Sequence, residues 1–116
     1  MKNKSYELIK FDNGLTLVFQ NIRYFNSIAL VAAVGAGPKY ETNKTSGIAH
    51  FLEHMLFEGS SKFPSSKELA EYLENSGGKS GAWTDKEYVA YYVKVTKGKL
   101  DIAFNYLEDI LFNSTL

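Results

Sequence analysis

The sequence predicts an α+β fold of two layers, with helices on one face of an antiparallel or mixed sheet, and three observations predict it. β-prone runs occur before, between and after helical segments, the helical segments carry a 3.6-residue apolar period, and most connections are short. The 116 residues suit one domain over 1–116. A domain of that size buries roughly 65% of the surface its unfolded chain exposes.

Residues 6–11 and 15–20 are β-prone runs separated by Asp12-Asn13-Gly14, residues that tolerate positive φ and favour a tight antiparallel hairpin. Residues 27–36 form a nearly continuous apolar run that predicts a strand buried on both faces, broken at Gly35-Ala36-Gly37-Pro38. A polar loop over residues 39–45 follows. Ser46 is placed to cap a helix over residues 47–57, and Ser65 with Glu68 has capping-box spacing for a second helix reaching residue 75. Gly77-Gly78 stops that helix. Strands over residues 80–84 and 88–96 come next, joined by Asp85-Lys86-Glu87, with Val89, Tyr91, Val93 and Val95 on one face of the second. Over residues 99–113, Leu100, Ala103, Phe104, Leu107, Ile110 and Leu111 recur at helical spacing, a stripe suited to covering a sheet.

Composition narrows the function. The 13 basic residues balance 13 acidic ones without long runs of either sign, which argues against a nucleic-acid partner. With no cysteine, disulfides, thiolate metal sites and cysteine nucleophiles are excluded, so any metal is held by nitrogen and oxygen. Residues 1–10 are basic but lack the apolar stretch of a secretory signal, and the apolar run over 28–34 is far too short to span a membrane. A soluble, cytoplasmic protein with no membrane partner is the expectation.

His50-Phe51-Leu52-Glu53-His54 contains both histidines of the chain, four residues apart, with a glutamate before the second. On a helix, Ile48, Phe51, Leu52, Met55 and Leu56 form one apolar face while His50, Glu53, His54 and Phe57 gather on the other. The two imidazoles can then reach one ion. Neutral imidazole suits Zn²⁺, and a catalytic zinc takes three protein ligands while leaving a position open. Glu53 projects beside the metal, where it can take a proton from water and deliver it to a leaving amine. Ordinary surface side chains explain a lone histidine pair, but chance produces the ordered five-residue pattern in less than about 1% of chains this size.

With these residues in view, the chain resembles the inverzincin metallopeptidases of family M16, the group of insulin-degrading enzyme, pitrilysin and the mitochondrial processing peptidases, over the N-terminal part of their domain. The resemblance covers Asp12-Asn13-Gly14-Leu15, Gly35-Ala36-Gly37 with Glu41, the stretch from Gly47 through Phe57 with Gly59, Gly77-Gly78, Ala82, Thr84, Glu87 and Tyr91-Tyr92. It implies that His50 and His54 are zinc ligands, that Glu53 is the general base, and that an extended peptide pairs with a sheet edge at Ala82-Trp83-Thr84. For Trp83 and residues 88–92, packing on the sheet surface is the competing explanation.

Two departures stand against the family pattern. Gly81 occupies a position where asparagine is common, which removes a side-chain amide and loosens the backbone. The family's third ligand, a glutamate roughly 75 to 80 residues after the second histidine, falls beyond Leu116. Glu58, Glu87, Glu108 and Asp109 are the carboxylates that could be put in its place, and each is explained by a surface or helix-polar role. The resulting expectation is a truncated zinc metalloendopeptidase acting on peptides or unfolded proteins, completed by a homo-oligomer or a complementing fragment of the same family. The alternative is a non-catalytic zinc-binding or interaction subunit.

Overall fold

Two antiparallel sheets carry the β-structure in the computed structural model, which describes residues 6–116. Residues 1–5, the first half of the basic segment 1–10 that lacks the apolar stretch of a secretory signal, lie outside it. β1 (Glu7–Lys10) and β2 (Thr16–Phe19) form the expected hairpin, with Leu8 opposite Val18 and Ile9 opposite Leu17. The Asn13 side-chain oxygen accepts the Leu15 N–H at 3.1 Å, and Phe11 N–H donates to the Leu15 carbonyl at 2.9 Å, which closes the turn. The second sheet contains β3 (Ser27–Val34), β4 (Lys79–Thr84) and β5 (Val89–Thr96) in the order β3-β5-β4.

β5 is central because its apolar alternation fits the core. Val89, Tyr91, Val93 and Val95 are all buried, as their period predicts. The helices α1 (Ile48–Met55), α2 (Ser66–Glu74) and α3 (Leu100–Phe112) contribute to one core with them, through Leu69 and Leu73 of α2, Ala103, Leu107 and Ile110 of α3, and Leu56 just after α1. Ser65 caps α2 as its spacing implies: its hydroxyl accepts the Glu68 N–H at 3.3 Å and donates to the Glu68 carboxylate at 3.0 Å.

Four expectations are corrected. β3 is not buried on both faces: Ile28, Leu30 and Ala32 pack on the core, but Ala29, Val31 and Ala33 are exposed, since β3 is an edge strand whose helix-free face is uncovered among the described residues. Ser46 does not cap α1. Gly47 takes that position at φ 88°, a conformation costly for a residue with a Cβ, and the Glu41 carboxylate accepts the N–H groups of Gly47 at 2.7 Å and Ala49 at 2.9 Å. An anion at a helix N-terminus also complements the helix dipole. The apolar face predicted for α1 is its packed face only in part: Leu56 is buried as expected, but Ala49 and Glu53 turn inwards beside it while Ile48, Phe51 and Leu52 stay exposed. On α3 the buried face is rotated to take in Tyr106 and Asp109, leaving Phe104 exposed.

The β1–β2 hairpin stands away from this core, with every residue from 6 to 26 exposed. The Cα radius of gyration, 15.8 Å, accordingly exceeds the roughly 13 Å of a compact chain of about this length. Among the described residues, no helix is long and apolar enough to cross a membrane.

Candidate functional site

Capping by Glu41 and the inward turn of Ala49, Glu53 and Leu56 fix where α1 carries its polar side chains. His50 and His54, one turn apart, are exposed, and their rings converge with centroids 4.8 Å apart and planes tilted by 52°. Their Nε2 atoms lie 3.0 Å apart. Two imidazole nitrogens bound to one tetrahedral zinc at about 2.0–2.1 Å stand about 3.3 Å from each other. The pair therefore fits two corners of a zinc site with a small outward adjustment.

Glu53 is held differently. It is only 9% exposed, and the Thr84 hydroxyl at the end of β4 donates a hydrogen bond to its Oε2. Tyr91 on β5 lies on the same core face. Burial, with the nearby Glu53 carboxylate as a lesser cause, raises its phenol above the usual tyrosine range. The site thus has an exposed pair of nitrogen donors beside a buried carboxylate anchored to the sheet.

The three residues expected at a substrate-binding edge have separate roles as side chains. Ala82 packs against the core and Thr84 faces Glu53, while Trp83 is 43% exposed on the opposite face. As backbone they form one feature: β4 pairs with β5 alone, so its other edge is free among the described residues. Gly81 has a packing reason, because a Cβ there would meet the Tyr92 ring at 2.7 Å. Any larger residue would displace that ring.

No group of three or more His, Cys, Asp or Glu side chains that could hold a metal exists among the described residues. Glu58 and Glu108 are exposed, and Glu87 pairs with Lys39. Asp109 corrects the surface role expected of it: it is fully buried, and the Ser60 hydroxyl donates to its Oδ2 while Oδ1 has no partner. Sequence reasoning also missed what Glu41 and Thr84 do for α1, since both bonds join segments that no local pattern connects.

The family model described as Insulinase (Peptidase family M16) matches residues 18–116. The chain belongs to this peptidase family. The uncharacterized zinc protease YmxG of Bacillus subtilis is 41% identical over 103 residues, which are 89% of this chain and 25% of that protein. The mitochondrial-processing peptidase subunit beta of Dictyostelium discoideum is 40% identical over 116 residues, 95% of this chain and 25% of its own length. Among solved structures, a protease from Helicobacter pylori superposes with a TM-score of 0.87 at 25% identity, covering 96% of this chain and 27% of that one. The chain therefore spans about a quarter of the length of the curated relatives it matches.

Proposed function

We propose that this M16 chain supplies His50 and His54 as zinc ligands and Glu53 as the general base of a metalloendopeptidase that cleaves peptides or unfolded proteins. The observation that carries the reading is the convergence of two Nε2 atoms, 3.0 Å apart, beside a buried carboxylate on the same helix. Relatives named zinc proteases support the choice of metal. Zinc, when bound, supplies Lewis acidity towards a carbonyl and acidifies water. Glu53, oriented by Thr84, takes the proton from the attacking water and returns it to the departing amine. The free edge of β4 holds the substrate as an added strand, Ala82-Trp83-Thr84 contributing main-chain hydrogen bonds.

A catalytic zinc uses three protein ligands, so the third donor in this reading comes from outside the described residues: further sequence of the same protein, a second copy of the chain or a complementing polypeptide of the same family. The same observation favours a second reading for the chain by itself, a zinc-binding or interaction subunit without turnover.

Bound zinc and hydrolysis of a quenched fluorescent peptide, measured on metal-free, zinc-loaded wild-type and zinc-loaded Glu53→Gln protein, separate the two. Zinc-dependent turnover that disappears in Glu53→Gln while zinc stays bound supports the peptidase. Absence of turnover, with or without bound zinc, removes the peptidase reading for the chain by itself and supports the non-catalytic zinc-binding or interaction subunit.

A further inference from the structure

The face of the sheet away from the helices carries an uncompensated pair of charges. Lys79 on β4 and Lys94 on β5 are directly opposite in the register, both are exposed, and both stand on the face of Trp83 and Tyr92. The opposite assignment of their neighbours fixes that face: Ser80 bonds Tyr106 of α3, Ala82 packs on the core, Thr84 bonds Glu53, and Val93 and Val95 are buried. Like charges directly across a strand pair destabilise it. The ion pairs among the described residues, Lys39–Glu87 and Lys67–Glu71, leave both of these lysines out.

Next along β4 is Gly81, over which the Tyr92 ring lies, and then Trp83, whose ring is 6.2 Å from Tyr92 and 6.5 Å from Tyr88. The face beside the free edge of β4 is therefore cationic at the Lys79 end and aromatic at the Trp83 end. A peptide added as a strand to that edge directs every second side chain onto this face. The chain as a whole has 13 positive and 13 negative side chains, so overall charge creates no preference for an acidic ligand. The lysine pair alone does.

We infer that Lys79 and Lys94 select peptides carrying an acidic side chain at one position, the one opposite Lys79 in the strand added to β4. This rests on the edge-binding reading above. Lys79 is five residues before Thr84, about 17 Å along the strand. In a peptide running antiparallel to β4, the acidic residue is thus on the C-terminal side of the bond held at Glu53. The neighbouring positions face the other way and carry no charge preference.

The test is binding, and it needs neither metal nor turnover. Ten-residue fluorescent peptides rich in threonine and valine, each with one glutamate or one lysine walked through the sequence, are titrated by anisotropy against the full chain. The same titrations use Lys79→Glu/Lys94→Glu protein, and backbone N-methylated peptides report strand pairing. The expected result is that glutamate binds about fivefold tighter than lysine at one position and equally at the adjacent ones, with the order reversed in the double variant. Equal affinities at every position, with binding still lost on N-methylation, would overturn the selection and keep the edge reading. A glutamate preference at all positions, indifferent to N-methylation, would overturn it as a nonspecific charge effect. Absence of binding by any peptide would overturn both.

Discussion

The Thr84 hydroxyl donates a hydrogen bond to the Glu53 carboxylate, tying the end of β4 to the middle of α1. One contact thereby couples the sheet edge to the carboxylate of the metal-binding motif. Thr84→Val keeps the shape and removes the donor, leaving a nearly buried carboxylate without it. The expected loss of folding stability is about 1.5–3 kcal/mol, read from urea denaturation, with Thr84→Ser retaining most of it. Equal midpoints for Thr84→Val and wild type would show that water replaces the bond.

Glu41 has the corresponding role at the start of α1, where it accepts two main-chain N–H groups that the helix cannot satisfy itself. Glu41→Ala removes both acceptors and is expected to lower stability by about 1–2 kcal/mol. Because His50 is in the first turn of this helix, zinc affinity measured against a competing chelator falls as well. Unchanged stability together with unchanged affinity would remove the capping role.

The element order and the motif were legible because their signals are local. Alternation marked β5, Ser65 and Glu68 marked α2, and the spacing of His50 and His54 survives as converging rings. What was not legible depends on residues distant in the chain. Thr84 and Glu53 are 31 positions apart, and Ser60 and Asp109 are 49 apart. Periodicity alone placed Leu56 at the end of α1 correctly but not the rest of that face, since Phe51 and Leu52 are the better apolar residues but Ala49 and Glu53 are the ones that face inwards. Asp109 read as surface for the same reason: a carboxyl inside a helical core is satisfied only by a partner that sequence spacing does not identify.

Ser60 and Asp109 join the segment after α1 to α3, and Ser60 also accepts the Phe63 N–H at 3.1 Å. Ser60→Ala leaves Asp109 with no hydrogen-bond donor in a fully buried position, with an expected cost of about 1–3 kcal/mol. In a double-mutant cycle, Ser60→Ala costs much less in an Asp109→Ala background. Additive losses would mean that the two side chains act separately.

Tyr106 predicts the behaviour at high pH. Its phenol is raised above 10.0 chiefly by burial, with the Ser80 hydrogen bond acting in the opposite direction. A group that keeps its proton longer when folded contributes stability below its unfolded pKa and loses that contribution as pH rises through the folded value. Stability should therefore fall above about pH 10. Tyr106→Phe should begin about 1 kcal/mol less stable at pH 7, having lost the hydrogen bond, yet decline less steeply above pH 10. Parallel curves for the two proteins in that range would exclude Tyr106 as the source.

Uncovered apolar surface leads to the last prediction. Ile48 and Phe51 are 54% and 65% exposed on α1, and beside them Leu52, Leu56, Val34, Leu111 and Phe112 line a groove of about 400 Å³. Contiguous apolar surface of this kind drives association, and burying Ile48 and Phe51 contributes about 1.5–3 kcal/mol for each side chain. Sedimentation velocity at micromolar concentration should give a mass above one chain. Ile48→Ser/Phe51→Ser should weaken the association by at least on the order of 100-fold, because the surface it loses corresponds to about 3 kcal/mol or more. A single-chain mass for the wild type would count against association through this surface.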